Sequence, residues 1–147
     1  MFKHLLLPID GSPLSLAAAQ RAISFASEGS ARITVFYARG SYSSVCFGEG
    51  ALMDPTSPEE FDELTQRQAN NYLEEVATLC RDAGVECETL SVIDDIVYQA
   101  IIDAAEQAGC DLIFMASHGR RGLASLLLGS ETQKVLTHTN IPVLVYR

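Results

Sequence analysis

The sequence contains none of the short glycine-rich signatures that mark many nucleotide-handling and acyl-transfer enzymes. There is no GxxxxGK[ST] loop, no GxGxxG after the first apolar run and no GxSxG turn. A hydrolytic mechanism also needs a placed base for water and groups that stabilise transition-state charge. Since no such pair is evident, the sequence favours a binding protein over an enzyme of these classes.

Positive charge and long apolar runs are also scarce. Ten Lys and Arg residues stand against 19 Asp and Glu, a formal net charge of -9. Such a surface repels phosphate backbones and anionic lipids, so neither nucleic acid nor a membrane is an expected partner. The apolar start ends at Pro8, well short of a signal-peptide core or the roughly 20 residues of a membrane span. We therefore expect a cytoplasmic protein.

The four cysteines lack the close spacing of a zinc site or a redox dithiol. They stand at positions 46, 80, 87 and 110, without a CxxC pair. Reduced thiols that pack as small core hydrophobes are the expectation.

The chain of 147 residues, 48% hydrophobic, suits one domain over residues 1–147. Five short apolar runs alternate with helical patterns, which predicts a doubly wound α/β fold with a parallel sheet and helices on both faces. Strands are predicted at residues 3–9, 32–38, 86–92, 112–116 and 141–146.

Polar capping residues mark the predicted helix starts, and glycines mark the ends. The starts are Ser12 followed by Pro13, the capping box Ser57-Pro58-Glu59-Glu60, Asp94 or Asp95, and a second capping box Ser130-Glu131-Thr132-Gln133; the ends are Gly29, Gly84 and Gly109. Residues 40–56 show no sustained period and predict a long surface loop. Its apolar residues favour packing, with a partner surface or a ligand lid as alternatives.

Ligands of open α/β sheets bind beyond the carboxyl ends of the strands, where the strand order reverses. In a sheet of order 3-2-1-4-5, strands one and four flank that reversal. Residues 9–12 and 116–130 would then line one crevice.

The start of the last helix, Gly129-Ser130, offers unpaired N–H groups to an anion such as phosphate. Gly119 lets the backbone approach a ligand, and Arg120 adds positive charge. The alternative is that these glycines simply form a loop.

Two further side chains have both a functional and an ordinary interpretation. Asp10 ends the first strand, where a carboxylate can bind ribose or hold magnesium on phosphates, or can simply form a turn. His118 either donates a hydrogen bond to a ligand or is solvated.

Three segments resemble the universal stress protein family: LLLPIDGS at residues 5–12, DLIFMASHG at 111–119 and NIPVLV at 140–145. ATP-binding members carry G-x2-G-x9-G-[S/T]. The matching positions here are Ala116, Gly119, Gly129 and Ser130, with the correct nine residues between the two glycines. The resemblance covers residues 2–147.

This resemblance implies a Rossmann-like fold, similar to adenine nucleotide α hydrolases, that binds ATP or AMP, with magnesium reaching Asp10 through the nucleotide. It places Pro8, Ile9 and Asp10 at adenine or ribose and Ala38 at the wall of the adenine pocket. The ribose and phosphates would be held around Met115, Ala116, His118, Gly119, Arg120, Gly129, Ser130, Glu131 and Thr132.

The departure from the motif is Ala116, whose methyl group would crowd the ribose or forbid a positive φ.

Family members commonly dimerise through the last strand, so a homodimer through residues 141–146 is expected. The function that follows is a stress-response regulatory module. The alternatives are a slow ATPase or phosphotransferase using Asp10 and magnesium, and a dimeric adaptor that needs no nucleotide.

Overall fold

Five parallel strands form one sheet in the order β3-β2-β1-β4-β5, which confirms the predicted fold class. The computed structural model describes residues 1–47, 57–119 and 128–147. The strands are β1 His4–Pro8, β2 Arg32–Arg39, β3 Cys87–Ile93, β4 Leu112–Ala116 and β5 Val143–Tyr146.

The described helices are α1 Pro13–Gly29, α2 Tyr42–Phe47, α3 Pro58–Asp82, α4 Val97–Ala108 and α5 Ser130–His138. Two predicted starts are confirmed. The Ser12 hydroxyl accepts a hydrogen bond from the Ser15 N–H at 3.2 Å, and Ser57 and Glu60 form the reciprocal capping box. Both helices therefore begin where their local sequence dictates.

The predicted cap of α4 is wrong. Ile96 occupies the N-cap position, while Asp94 accepts a hydrogen bond from the Ile96 N–H at 2.9 Å. Asp95 instead binds the Ser41 N–H at 2.8 Å and the Ser41 hydroxyl at 2.7 Å, and these bonds lower its pKa. Asp95 thus joins the start of α4 to the segment after β2, a distant partner that local capping rules cannot anticipate.

The segment after β2 is also more ordered than a structureless loop. Residues 42–47 form α2, and the Tyr42 ring packs edge-on against Phe61 of α3 at 5.4 Å. This contact favours packing for the first part of the segment. Residues 48–56 lie outside the described residues, so the surface loop there stays a prediction.

The central strand β1 sends alternate leucines to opposite faces of the sheet, as strand geometry requires. Leu5 and Leu7 pack in a cluster with α1 and α3, whereas Leu6 packs in a cluster with α4. All three leucines have no exposed surface, so β1 is buried on both faces. In the described ranges, no helix combines the length and apolarity needed to cross a bilayer.

Candidate functional site

The strand order reverses between β1 and β4, and the predicted crevice lies beyond the carboxyl ends of these two strands. The two strands pair in parallel, with Leu5 opposite Leu112 and Leu6 opposite Ile113. Asp10 follows β1, and Gly119 follows β4 by three residues. The topology therefore brings together two segments that are more than one hundred residues apart.

Short hydrogen bonds hold the turn that carries Asp10. Its carboxylate accepts from the Ser12 N–H at 2.9 Å, and its own N–H donates to the Ser15 hydroxyl at 3.1 Å. Gly11 has a φ of +77°, and the ring of Tyr72 fills the space where a Cβ would stand. The Ser12–Ser15 spacing is a local signal for the first contact, whereas Tyr72 comes from α3 and has no local signal.

Gly119 lies directly against Asp10. A Cβ on this glycine would stand 2.5 Å from Oδ2 of Asp10, well inside normal contact. Its φ is not positive, so glycine is needed here for space and not for backbone conformation. The carboxylate and the backbone after β4 consequently meet beyond the carboxyl ends of β1 and β4.

Gly129 is the second close approach. Its N–H donates to the Ser117 carbonyl at 2.7 Å, and a Cβ would stand 2.9 Å from Cα of His118. Its φ is −59°, so space again explains the glycine. The chain after Gly119 therefore returns to the same end of β4 before α5 begins.

The predicted capping box at the start of α5 is wrong. Gly129 is the N-cap, and it has no side chain to accept a hydrogen bond from the first turn. Gln133 donates instead to the Leu128 carbonyl at 2.9 Å, and the Thr132 hydroxyl donates to the Ala116 carbonyl at 3.0 Å. A glycine cap leaves the positive end of the α5 dipole facing the crevice, which suits an anion.

Ala116 causes no backbone strain. It is the last residue of β4, in register with Tyr146, and Ser30 alone among the described non-glycine residues has a positive φ. Ala116 therefore does not have a positive φ in this chain.

The other predicted residues divide by position. Pro8, Ala38 and His118 are partly exposed near the carboxyl ends of their strands, and the His118 ring lies 3.1 Å from the Ser117 hydroxyl. Ile9, Met115 and Thr132 are buried, and Met115 packs in the core cluster beside α4. Arg120 lies outside the described residues.

Glu131 faces α4. Its carboxylate accepts a hydrogen bond from the Tyr98 N–H at 2.8 Å and lies 3.6 Å from the Lys134 ammonium. It thereby caps a neighbouring helix whose own N-cap, Ile96, has no polar side chain. The family resemblance places Glu131 near the ribose and phosphates, and nothing local in the sequence reveals its bond to α4.

The family profile of the universal stress proteins matches residues 1–147. This chain belongs to the universal stress protein family. A universal stress protein of Methanocaldococcus jannaschii is 31% identical over 147 residues, which cover 100% of this chain and 83% of that protein. The solved structure of MJ0577 from the same organism is 26% identical, with a TM-score of 0.81, and covers 99% of this chain and 95% of that one. A universal stress protein in complex with cAMP shares the fold at 21% identity and a TM-score of 0.73, covering 99% and 97%.

Within this universal stress protein, the motif positions lie at the end of β4 and at the start of α5. Ala116 ends β4, Gly119 lies against Asp10, and Gly129 and Ser130 open α5. Across the described ranges, no three His, Cys, Asp or Glu side chains converge as a metal-binding group.

Proposed function

We propose that this universal stress protein binds an adenine nucleotide, ATP or AMP, between β1 and β4, and acts as a cytoplasmic homodimeric regulatory module. One observation carries the proposal. The Asp10 carboxylate lies against the bare backbone of Gly119, beside a helix start that has glycine as its cap. The arrangement pairs an acceptor for ribose hydroxyls with N–H donors for phosphate.

Each part of the nucleotide has a matching surface. Adenine would lie along Pro8 and Ala38, at the ends of two adjacent strands. The ribose would reach Asp10, and the phosphates would face the N–H groups at Ser130. Magnesium prefers oxygen ligands and would be held mainly by the phosphates, since Asp10 supplies a single carboxylate.

Relatives with the same fold support the choice of ligand class. Besides the cAMP complex, a universal stress protein family member from Arabidopsis thaliana was solved with AMP bound, and one from Archaeoglobus fulgidus in complex with dAMP. All three ligands share adenine, ribose or deoxyribose, and phosphate. We assign the same class to this chain.

The homodimer is proposed to form at β5. This strand is at one edge of the sheet, and all four of its residues are partly exposed in the single chain. An apolar edge strand invites pairing with another strand. A second copy of β5 would cover it.

Calorimetric titration of nucleotide-stripped protein with ATP and magnesium, and with AMP, tests the site. We expect saturable binding that is weakened by at least roughly tenfold in Asp10→Ala and retained in the control Asp82→Ala, which removes an exposed carboxylate at the end of α3. Ala116→Gly tests the extra methyl group: if this variant alone binds, the methyl group closes the site.

The same experiment separates the two other functions. If neither the wild type nor Ala116→Gly binds, the nucleotide proposal fails and a nucleotide-independent dimeric adaptor is favoured. Release of inorganic phosphate from ATP that disappears in folded Asp10→Ala would favour a slow ATPase. Tight binding without turnover supports the regulatory module.

A further inference from the structure

Cys80 and Cys87 are brought together at the end of the sheet opposite the crevice. Cys80 lies in the last turns of α3 and is fully buried, while Cys87 is the first residue of β3 and is partly exposed. Both belong to the same apolar cluster. The amino ends of the parallel strands lie here, so the pair is separate from the proposed nucleotide site.

A tight reversal of the chain causes this proximity. The Val85 N–H donates to the Cys80 carbonyl at 2.9 Å, and the Gly84 N–H donates to the Arg81 carbonyl at 3.0 Å. Gly84 has a φ of +68°, a conformation that glycine adopts readily. β3 therefore starts beside the last turn of α3, and each thiol is a neighbour of the other.

The two thiols differ in the way a reactive pair requires. The contact with Cys80 lowers the pKa of the Cys87 thiol, and the Arg81 charge lowers it further. The same contact, together with burial, raises the pKa of Cys80. Cys87 is thus the sulfur that a solvent-borne oxidant can reach, and a lowered pKa favours its nucleophilic thiolate form.

We propose that Cys80 and Cys87 form a reversible thiol–disulfide site that a hydroperoxide oxidises. The Cys87 thiolate attacks one oxygen of hydrogen peroxide, the O–O bond breaks, and Cys87 sulfenic acid and hydroxide form. The Cys80 sulfur then attacks the Cys87 sulfur, the S–O bond breaks, and the departing hydroxide takes the Cys80 proton as water. The first hydroxide takes up the proton that Cys87 released when it formed the thiolate. Two thiols thus lose two electrons, and the peroxide is reduced to two waters.

Cys110 is the internal comparison. It is buried, and burial raises the pKa of its thiol to about 11. A thiol with that pKa in an apolar site is a poor nucleophile at neutral pH. It should remain unmodified under conditions that link Cys80 to Cys87.

The test is peptide mapping of the whole folded protein after treatment with one equivalent of hydrogen peroxide. We expect the mass to fall by two hydrogen atoms and to return with dithiothreitol. Trypsin cleaves after Arg81, between the two cysteines, so the disulfide joins two tryptic peptides under non-reducing conditions. Cleavage after Glu106 separates Cys87 from Cys110 and identifies the linked residue.

Variants check the order of events. In Cys80→Ala, Cys87 should stop at sulfenic acid and be trapped by dimedone, whereas Cys87→Ala should lose the linkage entirely. The control Cys110→Ala should retain it. A disulfide from Cys87 to Cys110 or Cys46, a disulfide between two chains, or no linkage in the folded wild type would each overturn the proposal.

Discussion

Replacing Gly119 with alanine probes the contact between Gly119 and the Asp10 carboxylate. The new Cβ would stand 2.5 Å from Oδ2 of Asp10, where non-bonded heavy atoms keep about 3.5 Å. The carboxylate must therefore retreat by about 1 Å. Because Asp10 also accepts the Ser12 N–H at 2.9 Å, the movement weakens that bond and turns the carboxylate away from the proposed ribose position.

The cost to folding should be small and the cost to binding large. A hydrogen bond contributes about 1 kcal/mol to stability, which in a chain of this size lowers the unfolding temperature by roughly 2–4 °C. Losing a charge-assisted hydrogen bond to the ligand costs about 1.5–3 kcal/mol, or a roughly 10- to 150-fold weaker Kd.

Calorimetric titration with ATP and magnesium measures the Kd, and thermal unfolding of the same samples measures stability. A double-mutant cycle with Asp10→Ala isolates the cause. If Gly119→Ala acts by displacing Asp10, adding it to Asp10→Ala should weaken binding no further. Unchanged nucleotide affinity in folded Gly119→Ala would refute the assignment of Asp10 and Gly119 to the ligand site.

Three further predictions concern stability and assembly. Burial lowers the pKa of His4 in the folded chain. As the pH falls through about 6.5, the unfolded chain therefore binds a proton before the folded chain does, and the free energy of unfolding decreases. Urea unfolding at pH 7.5 and 5.5 should show a smaller decrease in His4→Gln than in the wild type. Glu131→Gln weakens the charge-assisted hydrogen bond to the Tyr98 N–H. We expect the unfolding temperature to fall by roughly 2–4 °C. An unchanged unfolding temperature would show that this cap does not stabilise the fold. Val145→Lys adds a positive charge to the partly exposed edge strand β5. Equilibrium sedimentation should then show a monomer where the wild type is a dimer. A monomeric wild type at micromolar concentration would contradict the dimer proposal.

The alternation of strands and helices and several boundaries could be predicted because their causes are local or periodic. β4 lies where the apolar run placed it, at Leu112–Ala116, and α1 and α3 start at their predicted caps. Family resemblance supplied the spacing that associates Gly119 with Gly129. These features depend on residues close together in the chain.

The failed prediction for the cap of α4 involves a competing partner far away in the sequence. Asp95 was expected to cap α4, but Ser41 offers it two hydrogen bonds across 54 residues. Glu131, which the resemblance places with the ribose and phosphates, also accepts the Tyr98 N–H of α4, a contact that no local pattern signals. A polar side chain follows the strongest partner that folding brings within reach, and that partner is absent from the local pattern.

The sequence by itself determined the alternation of strands and helices, and the family resemblance that it carries implied a Rossmann-like fold. Tertiary structure alone decided that Gly119 and Gly129 are glycines for space, that Ala116 is unstrained in its strand, and that Cys80 and Cys87 are neighbours. The reason is physical: periodicity and caps act over a few residues, whereas steric contact and thiol proximity depend on where the finished fold places atoms from separate elements.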